Sequence, residues 1–355
     1  MESIPKAPLA LPAALEELRR RGRAIRAARP MPGDVSRRCY VRLELEAGGT
    51  AVLALYPPEL EDTCRRYFRS GRLLAAAGVR VPAALDRDCG AGWALLEDLG
   101  ERTLYEHEGR PWGELAGWFE DAVHTIGRIA SLPAAAVAEL NPPLDRELLA
   151  RELRQTREHF LEPLGLTGGR GDVALGAELE AALGTLCARL GAEPPVPCHR
   201  DFGARNLVPL AGLAPPGAQP PPGSESALGV LDHQDLRLGP PAYDLASLLN
   251  DSLFPPPELE ERLLELAGLP VPAAGGGGAR TGYHRAAGQR TLKAVGSYAA
   301  FARRGAGRHL RLIPPTLERA LGHLRRLPET AALAPRLAER WRPALAGEGL
   351  ERLLP

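Results

Sequence analysis

No run of apolar residues in this chain approaches the roughly 18 that a helical membrane span requires, so the sequence offers no membrane anchor. An excess of charge is missing too. Lys plus Arg and Asp plus Glu number 44 each, and bulk electrostatics favours neither a nucleic acid nor a membrane surface as partner. Aromatic residues make up only 5% of the chain, which argues against the aromatic cage that quaternary ammonium ligands favour. The cysteines (Cys39, Cys64, Cys89, Cys187 and Cys198) are odd in number and form no CxxC or Cys/His pair with metal-ligand spacing. That pattern argues against a disulfide framework or a zinc site, and predicts small buried hydrophobes in a reducing cytoplasm. Arg19, Arg20, Arg21 and Arg23 follow a short apolar stretch, the reverse of the order in a secretory signal. They predict a basic amphipathic helix with a surface role.

What is present suffices for two lobes. The chain has 355 residues, 45% hydrophobic and 25% charged, an ordinary globular composition. Residues 12–21 read as a helix. Cys39–Leu45 and Thr50–Tyr56 read as strands around a turn at Ala47-Gly48-Gly49. Glu59–Ala77 reads as a helix closed by Gly78, and Val79–Leu85 and Trp93–Glu97 as short strands. Beyond Leu99-Gly100 the pattern turns helical, with helices predicted over 112–131, 145–160, 173–190, 243–253, 258–267, 281–304, 314–326 and 330–340. Strands near 206–210 and 227–232 flank Ala211–Ser226, whose Pro and Gly content predicts a flexible hairpin extension; 273–278 is a second flexible connection. The expected organisation is α+β: a small β-rich lobe over 1–97 and a larger helical lobe over 98–355.

The chemistry concentrates in His199-Arg200-Asp201-Phe202-Gly203-Ala204-Arg205-Asn206, which has the form H-R-D-x-x-x-x-N. In that form Asp201 accepts the proton of an attacking hydroxyl, and Asn206, five residues on, turns back to offer an oxygen to Mg²⁺. His199 reads as a packed scaffold residue, and Arg200 as either a brace or a substrate contact. Farther on, the apolar Val230-Leu231 leads into Asp232, a carboxylate at a strand tip. Asp232 and Asn206 supply the oxygen donors that a hard cation takes alongside phosphate and water. In Gly239-Pro240-Pro241-Ala242-Tyr243-Asp244-Leu245-Ala246 a turn precedes a helix, and Asp244 reads as a support for the catalytic loop or as an acid favoured at a helix start.

The ordered combination CHRDFGARNL and GVLDHQDLRLGPPAYDLASLLND resembles the aminoglycoside phosphotransferase/choline kinase superfamily. Within it, the chain is most similar to bacterial kinases of cell-wall recycling that phosphorylate N-acetylmuramate and N-acetylglucosamine at the anomeric hydroxyl. Gly33–Arg42 resembles their nucleotide loop, Pro57-Pro58-Glu59 with Glu61-Asp62 a further segment, and Gln289–Gly296 their Q-R-x-L-K-x-x-G helix. The likeness spans roughly residues 30–325. It implies a protein-kinase-like two-lobed fold, ATP and Mg²⁺ as cofactors, and a small sugar or amino sugar as acceptor. It calls for no nucleic acid, membrane or obligate protein partner. Asp201, Arg200 and Asn206 are then the catalytic set, Asn206 and Asp232 the metal ligands, and Arg290 and Lys293 substrate contacts beside Asp201. Backbone groups around Glu97–Leu99, in a segment resembling the inter-lobe hinge, meet the adenine.

The chain departs from kinases in two respects. The strand Ala51–Tyr56 carries no phosphate-binding Lys, and the small lobe has no G-x-G-x-x-G. Ser36, Arg37, Arg38 and Arg42 are the candidates to meet the phosphates instead. From Arg280 to Pro355 there are fifteen basic and five acidic residues, an excess that disfavours a polycationic acceptor and suits a neutral or anionic sugar. Two alternatives stay open: a kinase of another acceptor (an aminoglycoside, another sugar or an amino alcohol), and a nucleotide-binding pseudokinase scaffold.

Overall fold

The computed structural model describes residues 11–31, 37–166, 173–210, 227–269, 278–345 and 347–355. The predicted flexible segment 211–226, most of 273–278, and Ser36 lie outside them. The first part of the chain builds an antiparallel sheet in the order β1-β2-β3-β5-β4. Its strands are β1 (Ile25–Pro30), β2 (Cys39–Leu45), β3 (Thr50–Leu55), β4 (Ala84–Asp88) and β5 (Trp93–Glu97). Side chains alternate between faces along each strand, and each face is covered by one helix. Leu11, Ala14 and Leu18 of α1 (Leu11–Arg20) cluster with Val41, Leu43, Leu53, Leu55, Trp93 and Leu95. Cys64, Tyr67 and Phe68 of α2 (Glu61–Ala76) cluster with Ala54, Tyr56, Ala94 and Leu96. The N-terminal helix is therefore a structural cover of the sheet as well as a surface element.

α2 ends in a Schellman motif. The Val79 N–H donates to Leu74 O and the Gly78 N–H to Ala75 O, both at 3.0 Å, with Gly78 at φ +72°. Leu74, Val79 and Val81 then enter the core of the helical lobe. This corrects the expected strand over 79–85. The apolar run there is the tail of the helix cap, Pro82 brings no N–H for a ladder, and pairing begins only at Ala84.

The second correction concerns sulfur. Cys64, in the first turn of α2, and Cys89, in the turn between β4 and β5, form a disulfide with Cα atoms 5.7 Å apart. Packing of α2 across that end of the sheet brings together two cysteines 25 residues apart, which no short spacing rule detects. Cys39, Cys187 and Cys198 remain free, the last two buried.

The helical lobe comprises α3 (Trp112–Ala130), α4 (Ala134–Ala138), α5 (Arg146–Thr156), α6 (Val173–Gly191), α7 (Tyr243–Asn250), α8 (Pro257–Leu266), α9 (Gly278–Ala302), α10 (Ile313–Leu324) and α11 (Ala334–Ala344). Two short antiparallel pairs, β6 (Val196–Cys198) with β9 (Arg237–Gly239) and β7 (Leu207–Pro209) with β8 (Leu228–Val230), carry the loops that matter for chemistry. α9 is the axis of the lobe. It is buried on nearly all sides, and α5, α6, α7 and α10 pack against it. α5 approaches it so closely that a Cβ at Gly296 would lie 2.6 Å from the backbone of Thr156. The Gly of the Q-R-x-L-K-x-x-G stretch thus sets the α5–α9 distance.

Candidate active site

The loop after β6 is pinned from three sides. The Asp244 carboxylate, at the start of α7, accepts the His199 N–H at 2.6 Å and the Arg200 N–H at 2.8 Å. The His199 ring is fully buried and its Nε2 meets Leu231 O at 2.9 Å. Asn206 Nδ2 donates to Asp201 O at 2.8 Å, and the Leu231 N–H donates to Asn206 O at 2.8 Å. Two non-glycine residues here adopt left-handed backbone conformations, Arg200 at φ +78° and Asp232 at φ +57°. Such conformations persist only where the surroundings hold them, and they concentrate at functional sites.

Asp201 sits at the centre of a charge network. Lys293 Nζ lies 3.4 Å from its carboxylate, an Arg290 Nη 3.3 Å and an Arg200 Nη 3.8 Å. Glu152 of α5 faces the same cations, 2.7 Å from Arg200 and 3.3 Å from Lys293. It is also within hydrogen-bond reach of Tyr243 and Gln289. Asp251, just past α7, holds Arg290 at 3.1 Å and accepts the Tyr298 hydroxyl at 3.0 Å. Asp235 closes the set by pairing with Arg200 at 3.0 Å and Arg237 at 3.1 Å. Burial works to raise the two central carboxyls, but Lys293 and Arg200 outweigh it. Glu152 is held at about 2, and Asp201, with Arg290 added, below the ordinary carboxylate range. Burial draws the Lys293 ammonium down from its usual value against the pull of Asp201 and Glu152; with both carboxylates within 3.4 Å, we assign it as charged.

On the other side of the loop, Asp232 pairs with Arg38, which leads into β2, at 2.6 Å, and Arg38 also donates to Gln234 at 3.0 Å. Arg38 adjoins Cys39, the partner of Leu55 in the sheet. It therefore stands beside the end of β3, whose sequence carries no lysine. His233 is fully buried, stacks on Tyr67 with centroids 4.1 Å apart, and meets Ser70 Oγ at 2.9 Å. Burial, His199 and Arg38 together depress this imidazole to about 3, so it is neutral. Through it α2 grips the loop that carries Asp232.

The structure brings Asp201, Arg200, Asn206, His199, Asp244, Arg290 and Lys293 together, with Asp232 and Arg38 adjacent. It takes three other candidates elsewhere. Arg37 is exposed and pairs with Glu59. Arg42 is held by Asp98 at 2.6 Å and Gly100 O at 2.9 Å. Glu97 pairs with Arg80 through its side chain, and its N–H is used by Ala83 O. Asp98, whose carboxylate also accepts the Gly100 N–H at 3.1 Å, and Leu99 continue the chain from β5 toward the helical lobe. Of the fifteen C-terminal cations, only Arg290 and Lys293 contact Asp201 among the described residues. Others bind helix to helix, as Arg319 does with Glu260 and Arg342 with Glu318, or helix to turn, as Arg285 does with Glu329. Sequence reasoning missed Glu152, Asp251 and His233. Glu152 had a signal: it is an acid within the apolar stripe Leu149, Leu153, Thr156 of α5.

A model of the phosphotransferase enzyme family matches residues 27–288. The chain is 32% identical over 320 residues to an N-acetylmuramate/N-acetylglucosamine kinase of Pseudomonas putida, covering 86% of each. It is 31% identical over 322 residues to a protein of the same description from Neisseria meningitidis, covering 85% of this chain and 86% of that one. Among solved structures, the GDP complex of wild-type aminoglycoside 2'-phosphotransferase-IIIa superposes with a TM-score of 0.60 at 12% identity, over 88% of this chain and 99% of that one. A choline kinase from Streptococcus pneumoniae gives 0.56 at 13% identity, over 87% and 99%. These last two likenesses speak for the two-lobed kinase-like α+β fold. The matched segment contains the sheet, the catalytic loop and the Asp232 loop, and the chain belongs to the phosphotransferase enzyme family.

Proposed function

We propose that this chain is an ATP-dependent kinase that phosphorylates the anomeric hydroxyl of an N-acetylated amino sugar, N-acetylmuramate or N-acetylglucosamine. The observation that carries the proposal is Asp201: a carboxylate 29% exposed, beside Asn206 and directly against Arg290 and Lys293. The names of the relatives supply the acceptor. In this reading residues 1–97 form the nucleotide-binding lobe and 98–355 the catalytic and acceptor-binding lobe, and the nucleotide lies at their junction.

The acceptor hydroxyl docks on Asp201. Arg290 and Lys293 keep that carboxylate ionised, which makes it a weak base. It therefore orients the hydroxyl first and takes the proton late, as the new bond from the sugar oxygen to the γ-phosphorus forms and the bond to the bridging oxygen of ADP breaks. This timing suits a loose phosphoryl-transfer transition state, in which positioning matters more than proton removal. Arg38 takes the place of the missing strand lysine and meets the phosphates; the backbone of Asp98–Leu99 meets the base. Mg²⁺ fits the donor set, because the Asn206 amide nitrogen is committed to Asp201 O, which leaves Oδ1 as an acceptor, and Asp232 supplies a carboxylate. When bound there by Asn206 and Asp232, it neutralises phosphate charge. ATP as donor makes the cytoplasm the site of the reaction.

The test is purified protein with Mg·ATP and a panel of N-acetylmuramate, N-acetylglucosamine, glucosamine, other hexoses, choline and kanamycin, followed by ADP release and phosphorus NMR. Phosphate on the anomeric carbon of an N-acetylated amino sugar is expected. ADP release with only another acceptor would discard the amino-sugar assignment. Asp201→Ala should lower kcat by about 10²–10⁴-fold while ATP binding persists; unchanged turnover would refute its role.

A further inference from the structure

The charges around Asp201 balance. Arg200, Arg237, Arg290 and Lys293 are met by Glu152, Asp201, Asp235 and Asp251. This closed set presents no spare positive charge to an incoming acceptor. Arg205, in the same loop as Asp201 and Asn206, is different. Its Nε donates to Ser252 Oγ at 3.1 Å, and its guanidinium lies 3.6 Å from the centroid of the Tyr105 ring. No carboxylate pairs with it among the described residues.

Its anchors fix which side of Asp201 it serves. Ser252 adopts φ +69° and passes the contact on, donating from Oγ to Asp251 at 2.9 Å. Asp251 in turn holds Arg290 against Asp201. The chain Arg205–Ser252–Asp251–Arg290 thus runs along the helical-lobe side of Asp201. Arg38 and Asp232, the groups assigned to the nucleotide, form a separate pair that reaches the small-lobe sheet through Cys39. A planar guanidinium stacked on an aromatic ring, with its Nε engaged, keeps its terminal N–H groups for a bidentate anion.

We infer that Arg205 is a specificity-determining residue that recognises an acidic substituent on the acceptor sugar, such as a carboxylate carried on an ether arm. This deepens the proposed function and rests on it. The same sugar without the acid still reaches Asp201, but forgoes this contact. A polycationic acceptor meets an unpaired positive charge at the same place.

The experiment measures kcat/KM for N-acetylmuramate and N-acetylglucosamine, with KM for ATP, in the wild type, Arg205→Gln and Arg205→Lys. Arg205→Gln should lower the ratio of acidic to neutral sugar about tenfold or more, through KM for the acidic sugar, and Arg205→Lys should recover part of it. An equal loss for both sugars, or a raised KM for ATP with the ratio unchanged, would overturn the inference and leave the proposed function standing. Wild-type protein that turns over neither sugar would overturn the proposed function first, and this inference with it.

Discussion

The Lys293 ammonium lies 3.3 Å from the Glu152 carboxylate, although 141 positions of α9 and α5 numbering separate them and both are buried. Removing Glu152 leaves the buried network one positive charge in excess, although Lys293 keeps Asp201 and Arg200 keeps Asp235; a charge left partly uncompensated in this way costs about 3 kcal/mol. Glu152→Gln should lower the urea midpoint accordingly at pH 7. The pH dependence has a definite sign. A carboxyl depressed from 4.5 to about 2 contributes stability that is complete above 4.5 and disappears as the pH falls toward 2. The wild type should therefore lose stability across that window more steeply than Glu152→Gln, as read by unfolding at stepped pH. Parallel curves would argue against the pair.

The nucleotide role proposed for Arg38 is open to a direct test. Its replacement by Met keeps much of the apolar stem and removes the charge-assisted contacts, so KM for ATP should rise about tenfold or more. KM for the sugar should move far less. Asp232→Ala should abolish the Mg²⁺ dependence of nucleotide binding measured by calorimetry. If Arg38→Met changes only the sugar KM, Arg38 does not stand in for the strand lysine.

Gly296 fixes a helix crossing. Its Cβ position falls 2.6 Å from the N and Cα of Thr156, backbone atoms that cannot swing aside. Gly296→Ala should cost about 1–3 kcal/mol by overpacking. Because the displaced helices carry Glu152 and Lys293, kcat should drop as well, even though position 296 packs on Thr156 rather than on Asp201. A variant with wild-type stability and turnover would contradict the geometry.

The Cys64–Cys89 bond closes a 25-residue separation, which the chain-entropy account equates to about 3.5 kcal/mol. Thiol titration of unfolded, unreduced protein should give three free cysteines. Reductant, or Cys89→Ser, should lower the unfolding midpoint. Five reactive thiols with no effect of reductant would remove the bond from the structure.

The helices and the β2–β3 hairpin of the small lobe were legible because their signals are local: apolar periodicity, a Gly at +72° closing α2, and turn residues between β2 and β3. The catalytic loop was legible for the same reason, since eight consecutive residues carry it. Glu152 and Asp251 were not, because what makes them part of the site is a helix crossing and the end of α7, far in sequence from Asp201. β6 and β9 span three residues each, too few for any period to register. The cysteine pair failed for a related reason: its two members meet only after α2 has docked on the sheet. The C-terminal arginines were legible as an excess, but their destinations were not, and most of those traced hold one helix to another.

α9 carries Gln289, Arg290 and Lys293 while also serving as the buried axis of its lobe. A change of preference achieved on that helix would therefore be charged against folding as well as chemistry. On the inference drawn for Arg205, new acceptors are more accessible through positions such as Arg205 and Ser252, which stand in loops and anchor little of the core. Divergence among relatives with this architecture is expected to leave α9 in place and to vary the loops around it.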